Sequence, residues 1–277
     1  ARVDVPITVH ASPSRNLEFV DKNYKVRTVS FAELVRHCFA TRDSAGAGDA
    51  AETWYFRSVG RRPKTKDGDA ARELFAASFP ALAADFELPR GTQMAREVSD
   101  RLHQSVLRVN QAGMRLWPHY DTLDNVLCQV VGRKRVLLFP SSAVPHLYMH
   151  GSTSRVADLD SPDLARFPLA LAACGSGTEV TLAPGDVLFI PNMWVHQVVA
   201  VDACVSVNCF FERLPHDAYD PSDAYGNKDL PVQAAARDAA LAAVRRQLSA
   251  IPDGEFRDLA LQQVISTLLA RGLAQPP

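Results

Sequence analysis

Three residues with metal-binding side chains are the most informative feature of the sequence. His119 and Asp121 are separated by one residue, and His196 lies far downstream in a Trp-x-His sequence. Because side chains two positions apart on a strand project to the same side, His119 and Asp121 can bind one ion, which His196 can complete from another strand. Two imidazoles and one carboxylate leave three positions of an octahedron open, as in non-haem Fe(II) oxygenases. The sequence therefore predicts an oxygen-activating Fe(II) site with these three residues as its catalytic metal ligands.

The sequence around His196 supports this interpretation. Residues 184–186 are Pro-Gly-Asp, a turn signal, and the apolar run 187–190 that follows ends at Pro191. This order predicts a strand, a bend and then a metal ligand. A metal-free structural role for the histidines is the alternative.

Lys134 is a candidate for binding an anionic co-substrate. In the run 132–140, alternation puts Lys134 on the same strand face as Val136 and Leu138. A lysine on an apolar face is costly to bury unless an anion meets it. Exposure beside Arg133 and Arg135 is the alternative.

Residues 104–213 resemble the jumonji-C (JmjC) branch of the 2-oxoglutarate-dependent cupin oxygenases. In that family an Asn lies six positions and a Lys fifteen positions after the first ligand His, and another Asn lies on the strand after the distal His. Asn125, Lys134 and Asn208 match these positions. The resemblance implies a mainly β fold with some α, a double-stranded β-helix (jelly-roll) with flanking helices. It also implies Fe(II), O2 and 2-oxoglutarate, with these three residues at the co-substrate.

Four further segments resemble, more narrowly, the JmjC hydroxylases of wybutosine synthesis, which act on a modified guanosine beside the anticodon of phenylalanine tRNA. The segments are residues 55–60, 119–131, 158–168 and 219–229. This resemblance implies tRNA as the substrate and a role for the Tyr55 hydroxyl at the remote co-substrate carboxylate. Taken by itself, Tyr55 is equally a core aromatic residue.

Two other functions remain open at this stage. A JmjC protein hydroxylase or a histone lysine demethylase would use the same iron site and differ in its loops. A non-enzymatic cupin binding module is the third possibility, and the intact metal triad with Asn125 and Lys134 argues against it.

One basic run is a candidate for contacting phosphates. The net charge of −1 argues against a surface built for general polyanion binding. However, no acidic residue interrupts the stretch that contains Arg57, Arg61, Arg62, Lys64 and Lys66. A solvated loop is the alternative.

The chain is expected to comprise an oxygenase domain at residues 1–231 and a helical unit at 232–277, with a segment missing before residue 1. Strands should dominate from 104 to 211. The other expected elements are a strand at 3–9, helices at 31–39 and 70–77, a glycine-rich loop at 45–51 and an insertion at 158–177 with a helix starting at 161–163.

The C-terminal unit is expected to form two amphipathic helices, residues 232–251 and 255–273, separated by Pro-Asp-Gly. Their apolar residues exceed what a two-helix hairpin can bury, so either packing on the barrel or homodimerisation is expected, with dimerisation favoured. These residues are Leu241, Val244, Leu248, Leu259, Leu261, Val264, Leu268 and Leu269.

Composition favours an intracellular protein. The hydrophobic share of 47% is that of an ordinary soluble core, and no apolar run approaches the length of a membrane span. Five cysteines without paired zinc spacings argue against a disulfide framework. We therefore expect a cytoplasmic protein that does not bind membranes.

Overall fold

The computed structural model describes residues 6–40, 52–58, 78–86 and 101–273. The expected loop at 45–51 and helix at 70–77 lie outside these residues. Fourteen strands are present in the described ranges. They are β1 (Pro6–Ser12), β2 (Asn16–Leu17), β3 (Lys25–Ser30), β4 (Thr53–Arg57), β5 (Leu102–Asn110), β6 (Arg115–His119), β7 (Asp124–Val131), β8 (Lys134–Phe139), β9 (Met149–His150), β10 (Thr153–Ser154), β11 (Thr178–Leu182), β12 (Val187–Ile190), β13 (Val195–Ala200) and β14 (Cys204–Phe211).

The strands form two sheets. One has the order β12-β7-β14-β5-β4-β1-β3, and the other has the order β11-β8-β13-β6-β10-β9, with β2 parallel to β6. Of the eight longer strands from β5 onward, β5, β7, β12 and β14 lie in the first sheet and β6, β8, β11 and β13 in the second, as expected for a double-stranded β-helix. The predicted mainly β cupin fold is confirmed.

Strand β5 shows how the chain supplies a polar interior. Its Leu107 and Val109 belong to the hydrophobic cluster on the side of the sheet covered by the first helix, together with Leu34 and Phe56. Because side chains alternate on a strand, Arg108 projects to the opposite side, where it is also buried. Both faces of β5 are therefore covered, one by apolar packing and one by a polar cavity.

The β7–β8 hairpin determines the direction of Lys134. Gly132 has φ +69° in its turn, and a Cβ built there would lie 2.2 Å from the carbonyl oxygen of Ala203, so only glycine fits. Lys134 is 1% exposed, whereas Arg133 pairs with Asp202 at the surface. The predicted inward face of Lys134 is confirmed, and the solvent-facing alternative is wrong.

Five α-helices lie in the described ranges: α1 (Phe31–Phe39), α2 (Pro80–Ala83), α3 (Ala170–Cys174), α4 (Pro231–Leu248) and α5 (Glu255–Leu273). Helix α1 has the predicted bounds because Ser30 and Glu33 form a reciprocal capping box at its start. Two 3-10 turns, Ser141–His146 and His216–Ala218, complete the helical elements.

The predicted helix start at residues 161–163 is wrong. The Asp163 carboxylate accepts hydrogen bonds from the backbone N–H groups of Ala165 and Arg166, at 3.1 and 3.3 Å, which makes a local turn. Pro168 has no N–H with which to continue a helix. The helix of this insertion begins only at Ala170.

The chain divides into two compact units, residues 1–229 and 230–277. The second unit contains α4 and α5, which pack against each other, and both predicted C-terminal helices are confirmed. Neither these helices nor any other helix among the described residues is long and apolar enough to cross a membrane.

Candidate active site

His119, Asp121 and His196 come together inside the barrel. His119 ends β6, Asp121 follows it, and His196 lies at the start of the neighbouring β13, where it pairs with His119. Their ligand atoms all lie within 4.8 Å of one another, and all three residues are buried. His196 Nε2 is 3.8 Å from Asp121 Oδ2. The structure therefore brings the predicted triad together with the donor types of a non-haem iron site.

Backbone carbonyl groups orient both imidazoles. His119 Nδ1 lies 2.8 Å from the carbonyl oxygen of Trp117, and His196 Nδ1 lies 3.1 Å from that of Trp194. Because a carbonyl oxygen only accepts, each Nδ1 must carry the proton. Each Nε2 is left with its lone pair available, as a metal ligand requires.

Burial sets the ionisation of the triad. It lowers the pKa of His119 well below its ordinary value, aided by the neighbouring His196, and it also lowers the pKa of His196. Burial raises the pKa of Asp121, although His196 and Arg108 oppose that shift. Both histidines are thus neutral at pH 7, the form that binds a divalent metal ion.

Two asparagines extend the triad across the barrel. Asn125 Nδ2 lies 3.5 Å from Asp121 Oδ2, and Asn208 Nδ2 donates to Asn125 Oδ1 at 3.0 Å. The Oδ1 atom of Asn208 is buried and has no hydrogen-bond partner among the described residues. Asn125 therefore helps to fix the Asp121 carboxylate, while Asn208 retains an acceptor for a ligand or water.

Lys134 enters the cavity from β8. Its Nζ donates to Ser206 Oγ at 2.5 Å, and burial lowers its pKa to about 7. No carboxylate pairs with Lys134 among the described residues. An anionic ligand would supply the missing partner and favour the charged amine.

Tyr55 shares this cavity with a second cation. Tyr55 is 2% exposed, and its hydroxyl accepts a hydrogen bond from Arg108 Nη1. The Nε atom of Arg108 is buried without a partner in the described part of the chain. Ser206, which binds Lys134, is paired with Arg108 across β14 and β5. The two cations therefore face one region of the interior.

The cavity has an empty volume of about 380 Å³. Six of the seven predicted site residues line it, and Asp121 adjoins them beside His196. The lining consists of Tyr55, Arg108, Asn110, Leu116, His119, Asn125, Leu127, Lys134, Ile190, His196, Val198 and Asn208. Unpartnered donors and acceptors on Arg108, Asn110 and Asn208 fit a polar ligand, because such groups are rarely left unsatisfied when buried. The roles of the individual residues remain predictions.

Only the first residue of the predicted basic run lies within the described ranges. Arg57 donates from Nη2 to the carbonyl oxygen of Tyr225 at 3.2 Å and lies over its ring, 4.6 Å from the centroid. Burial and the nearby Arg108 lower the pKa of Arg57 to about 10. Arg61, Arg62, Lys64 and Lys66 lie outside the described residues.

Sequence reasoning missed Arg108 and Asn110. Alternating polar residues on an antiparallel strand usually indicate a solvent face, so the pattern of β5 gave no reason to expect a buried arginine. A useful signal is that the neighbouring strand β14 also carries polar residues on its inward face, Ser206 and Asn208, opposite an apolar face like that of Leu107 and Val109 in β5.

A second histidine and carboxylate group lies apart from the triad residues. Glu212 Oε1 is 2.7 Å from Nδ1 of both His103 and His216. Hydrogen bonding to the shared carboxylate explains this geometry, and metal measurements on the protein need a variant at this group as a control.

A model of the cupin-like domain family matches residues 1–217. A tRNA wybutosine-synthesizing protein 5 from Danio rerio is 35% identical over 276 residues, covering 99% of this chain and 80% of the relative. The protein of the same name from Homo sapiens is 34% identical over 259 residues, covering 94% and 78%.

Solved structures give a more distant likeness. YcfD, a ribosomal oxygenase from Escherichia coli solved in complex with cobalt and 2-oxoglutarate, is 15% identical with a TM-score of 0.38. The match covers 86% of this chain and 55% of YcfD, and at this distance it carries no conclusion about chemistry. The family resemblance inferred from the sequence is confirmed by the family model and the close relatives. The chain belongs to the cupin-like domain family and is related to the proteins named tRNA wybutosine-synthesizing protein 5.

Proposed function

We propose that this enzyme is an Fe(II)- and 2-oxoglutarate-dependent dioxygenase. It would hydroxylate the wybutosine-precursor side chain on the guanosine beside the anticodon of phenylalanine tRNA. The observation that carries the proposal is the buried triad His119, Asp121 and His196, which shares a cavity with two buried cations. The name shared by the relatives from Danio rerio and Homo sapiens supports tRNA as the substrate.

The residues of the cavity divide the work between metal and co-substrate. When bound, Fe(II) with 2-oxoglutarate and O2 supplies the oxidising power for C–H hydroxylation, with succinate and carbon dioxide as co-products. His119, Asp121 and His196 would hold the metal, while Lys134 and the Tyr55 hydroxyl would neutralise and orient the remote carboxylate. Apolar side chains of Leu127, Ile190 and Val198 would exclude water around them.

The direct test uses tRNA that lacks only the hydroxyl group. The iron-loaded protein, given 2-oxoglutarate and O2, is expected to add one oxygen atom to the modified guanosine, measured by mass spectrometry of the digested nucleosides. Omitting 2-oxoglutarate should prevent the addition. Hydroxylation of a peptide without any effect on this tRNA would instead establish a protein hydroxylase.

We also propose that the enzyme is a homodimer joined through its C-terminal helices. Large apolar side chains are exposed there, including Val232 at 81%, Phe256 at 79% and Leu268 at 64%. Such a surface is typical of an interface rather than of a solvated helix. The wild-type protein is expected to sediment as a dimer, and the double variant Phe256→Asp/Leu268→Asp as a monomer.

Leu171→Asp is a matched control for this prediction, because it replaces a leucine that is 63% exposed in the other unit. The control should remain dimeric. A monomeric wild-type protein at micromolar concentration would contradict the proposal.

We also propose a reducing, cytoplasmic location, which the buried free cysteines Cys38, Cys128, Cys204 and Cys209 support.

A further inference from the structure

A second cavity lies beside β6, around Trp117. Strand β2 covers one edge of β6 at Arg115 and Leu116, and β10 meets β6 at His119. Trp117 lies between these two pairings. The cavity has an empty volume of about 680 Å³, which includes space open to solvent. We call it the Trp117 cleft; it is lined by Glu18, Phe19, Val20, Asp21, Trp117, Ser154, Arg155, Ala157 and Arg166.

The cleft holds charges of both signs that do not pair with each other. Arg155 and Arg166 are exposed, and Glu18 and Asp21 lie in the turn after β2. None of these four residues is in an ion pair within the described part of the chain. By contrast, Arg115 nearby is paired with Asp158. The cleft thus leaves guanidinium donors and carboxylate acceptors available to one ligand.

Two aromatic side chains add a stacking surface. The Phe19 ring is 43% exposed and lies 5.4 Å from the Trp117 ring, with 32° between their planes. The Nε1 atom of Trp117 is buried and has no hydrogen-bond partner among the described residues. A ligand in the cleft would therefore meet the exposed aromatic face of Phe19.

An unpaired nucleotide has the matching set of groups. Its phosphate suits the two arginines, its base can stack on Phe19, and exocyclic amino groups of the base can donate to Glu18 or Asp21. A purely anionic ligand would be repelled by the carboxylates, and an apolar ligand would leave all four charges without partners. Adenine, cytosine and guanine carry such amino groups, whereas uracil does not.

The cleft is also close to the metal ligands. The Trp117 and His119 ring centroids are 5.9 Å apart, and the Trp117 carbonyl oxygen contacts His119 Nδ1. We propose that the Trp117 cleft binds an unpaired nucleotide of the RNA substrate close to the nucleotide that enters the barrel. This inference rests on the proposed function and adds a second RNA contact to it.

Binding of phenylalanine tRNA at several salt concentrations tests the cleft. The double variant Arg155→Gln/Arg166→Gln should bind about tenfold more weakly, and the magnitude of its logarithmic salt slope should fall by about 0.7, because the contacts to one single-strand phosphate are lost. Phe19→Ala should weaken binding about fivefold through lost stacking, with the salt slope unchanged. Arg133→Gln, which removes an exposed arginine paired with Asp202, is the matched control and should bind like wild type.

Circular dichroism shows whether the variants are folded. Photocrosslinking tests the cleft without any variant, because it uses the wild-type protein. Wild-type protein irradiated with 6-thioguanosine-substituted tRNA, whose photoreactive base keeps an exocyclic amino group, should give crosslinks to peptides containing Phe19 or Trp117. Folded variants that bind tRNA like wild type, or crosslinks that avoid these peptides, would overturn the proposed nucleotide site in the cleft. The proposed function would still stand if the wild-type protein hydroxylates tRNA. A wild-type protein that neither binds nor hydroxylates tRNA overturns both.

Discussion

Replacing Asp121 with alanine is expected to remove both metal binding and turnover. The substitution takes the only carboxylate from the buried triad and leaves two neutral imidazoles to hold a divalent ion. Partners of metal ligands already change affinity by about 10–100-fold, so loss of a ligand itself should cost at least about 100-fold. Metal content by elemental analysis and succinate release measure the two effects.

His216→Ala is the control for this experiment. It removes one member of the separate group formed with His103 and Glu212, and it should leave iron-dependent succinate release unchanged. If Asp121→Ala kept full iron occupancy and full turnover, the triad would not be the metal site. Loss of iron in His216→Ala with an intact triad would contradict the assignment as well.

Lys134→Met is expected to weaken 2-oxoglutarate binding by about 30-fold or more, because truncating one member of a buried charge pair costs about 2–5 kcal/mol. The linear methionine side chain fills similar space without the ammonium group. Titration calorimetry of the metal-loaded protein measures the dissociation constant. Arg133→Met, at the exposed residue just before β8, should bind like wild type. An unchanged constant in Lys134→Met would exclude Lys134 from the carboxylate site.

The same substitution should change the dependence of binding and stability on pH. Since burial lowers the pKa of Lys134 from 10.5 to about 7, the amine is charged below pH 7 and becomes neutral above it in the ligand-free protein. Wild-type affinity for the dianion should therefore fall above pH 7, by up to about tenfold per pH unit. Lys134→Met should lose this dependence.

The stability effect has the opposite sign. Below pH 7 both folded and unfolded states carry the charged amine, so the full cost of burying it is present. Between pH 7 and 10.5 the unfolded state binds more protons, and the stability of the ligand-free wild type rises with pH. Ligand-free Lys134→Met should consequently unfold at a higher temperature than wild type at pH 7, and a lower temperature would indicate a structural role.

The shared direction of His119 and Asp121 and the burial of Lys134 could be predicted because local rules decide them. The one-residue spacing of His119 and Asp121 and the alternation of Lys134 with Val136 need only strand geometry. Arg108 could not be predicted, since its burial depends on which sheet faces β5. The helix start at 161–163 was wrong because the turn that Asp163 caps ends at Phe167, where Pro168 has no N–H with which to continue it.

The Trp117 cleft could not be predicted from local sequence patterns. Its walls come from the turn at 18–21 and the segment at 154–157, which meet only because β2 and β10 share one edge of β6. No short motif records such a pairing. Arg155 and Arg166 are each exposed surface residues, and only this long-range arrangement brings them into one cleft.

The hydrogen bond between His119 Nδ1 and the Trp117 carbonyl oxygen allows the side chain at position 117 to change without changing the orientation of the imidazole. The imidazole is held by a main-chain atom, which every amino acid provides, so this orientation of His119 does not depend on the side chain at position 117. The Trp117 ring instead lies near Phe19 and lines the Trp117 cleft. Related proteins can therefore differ in the side chain at this position while the orientation of the imidazole stays the same.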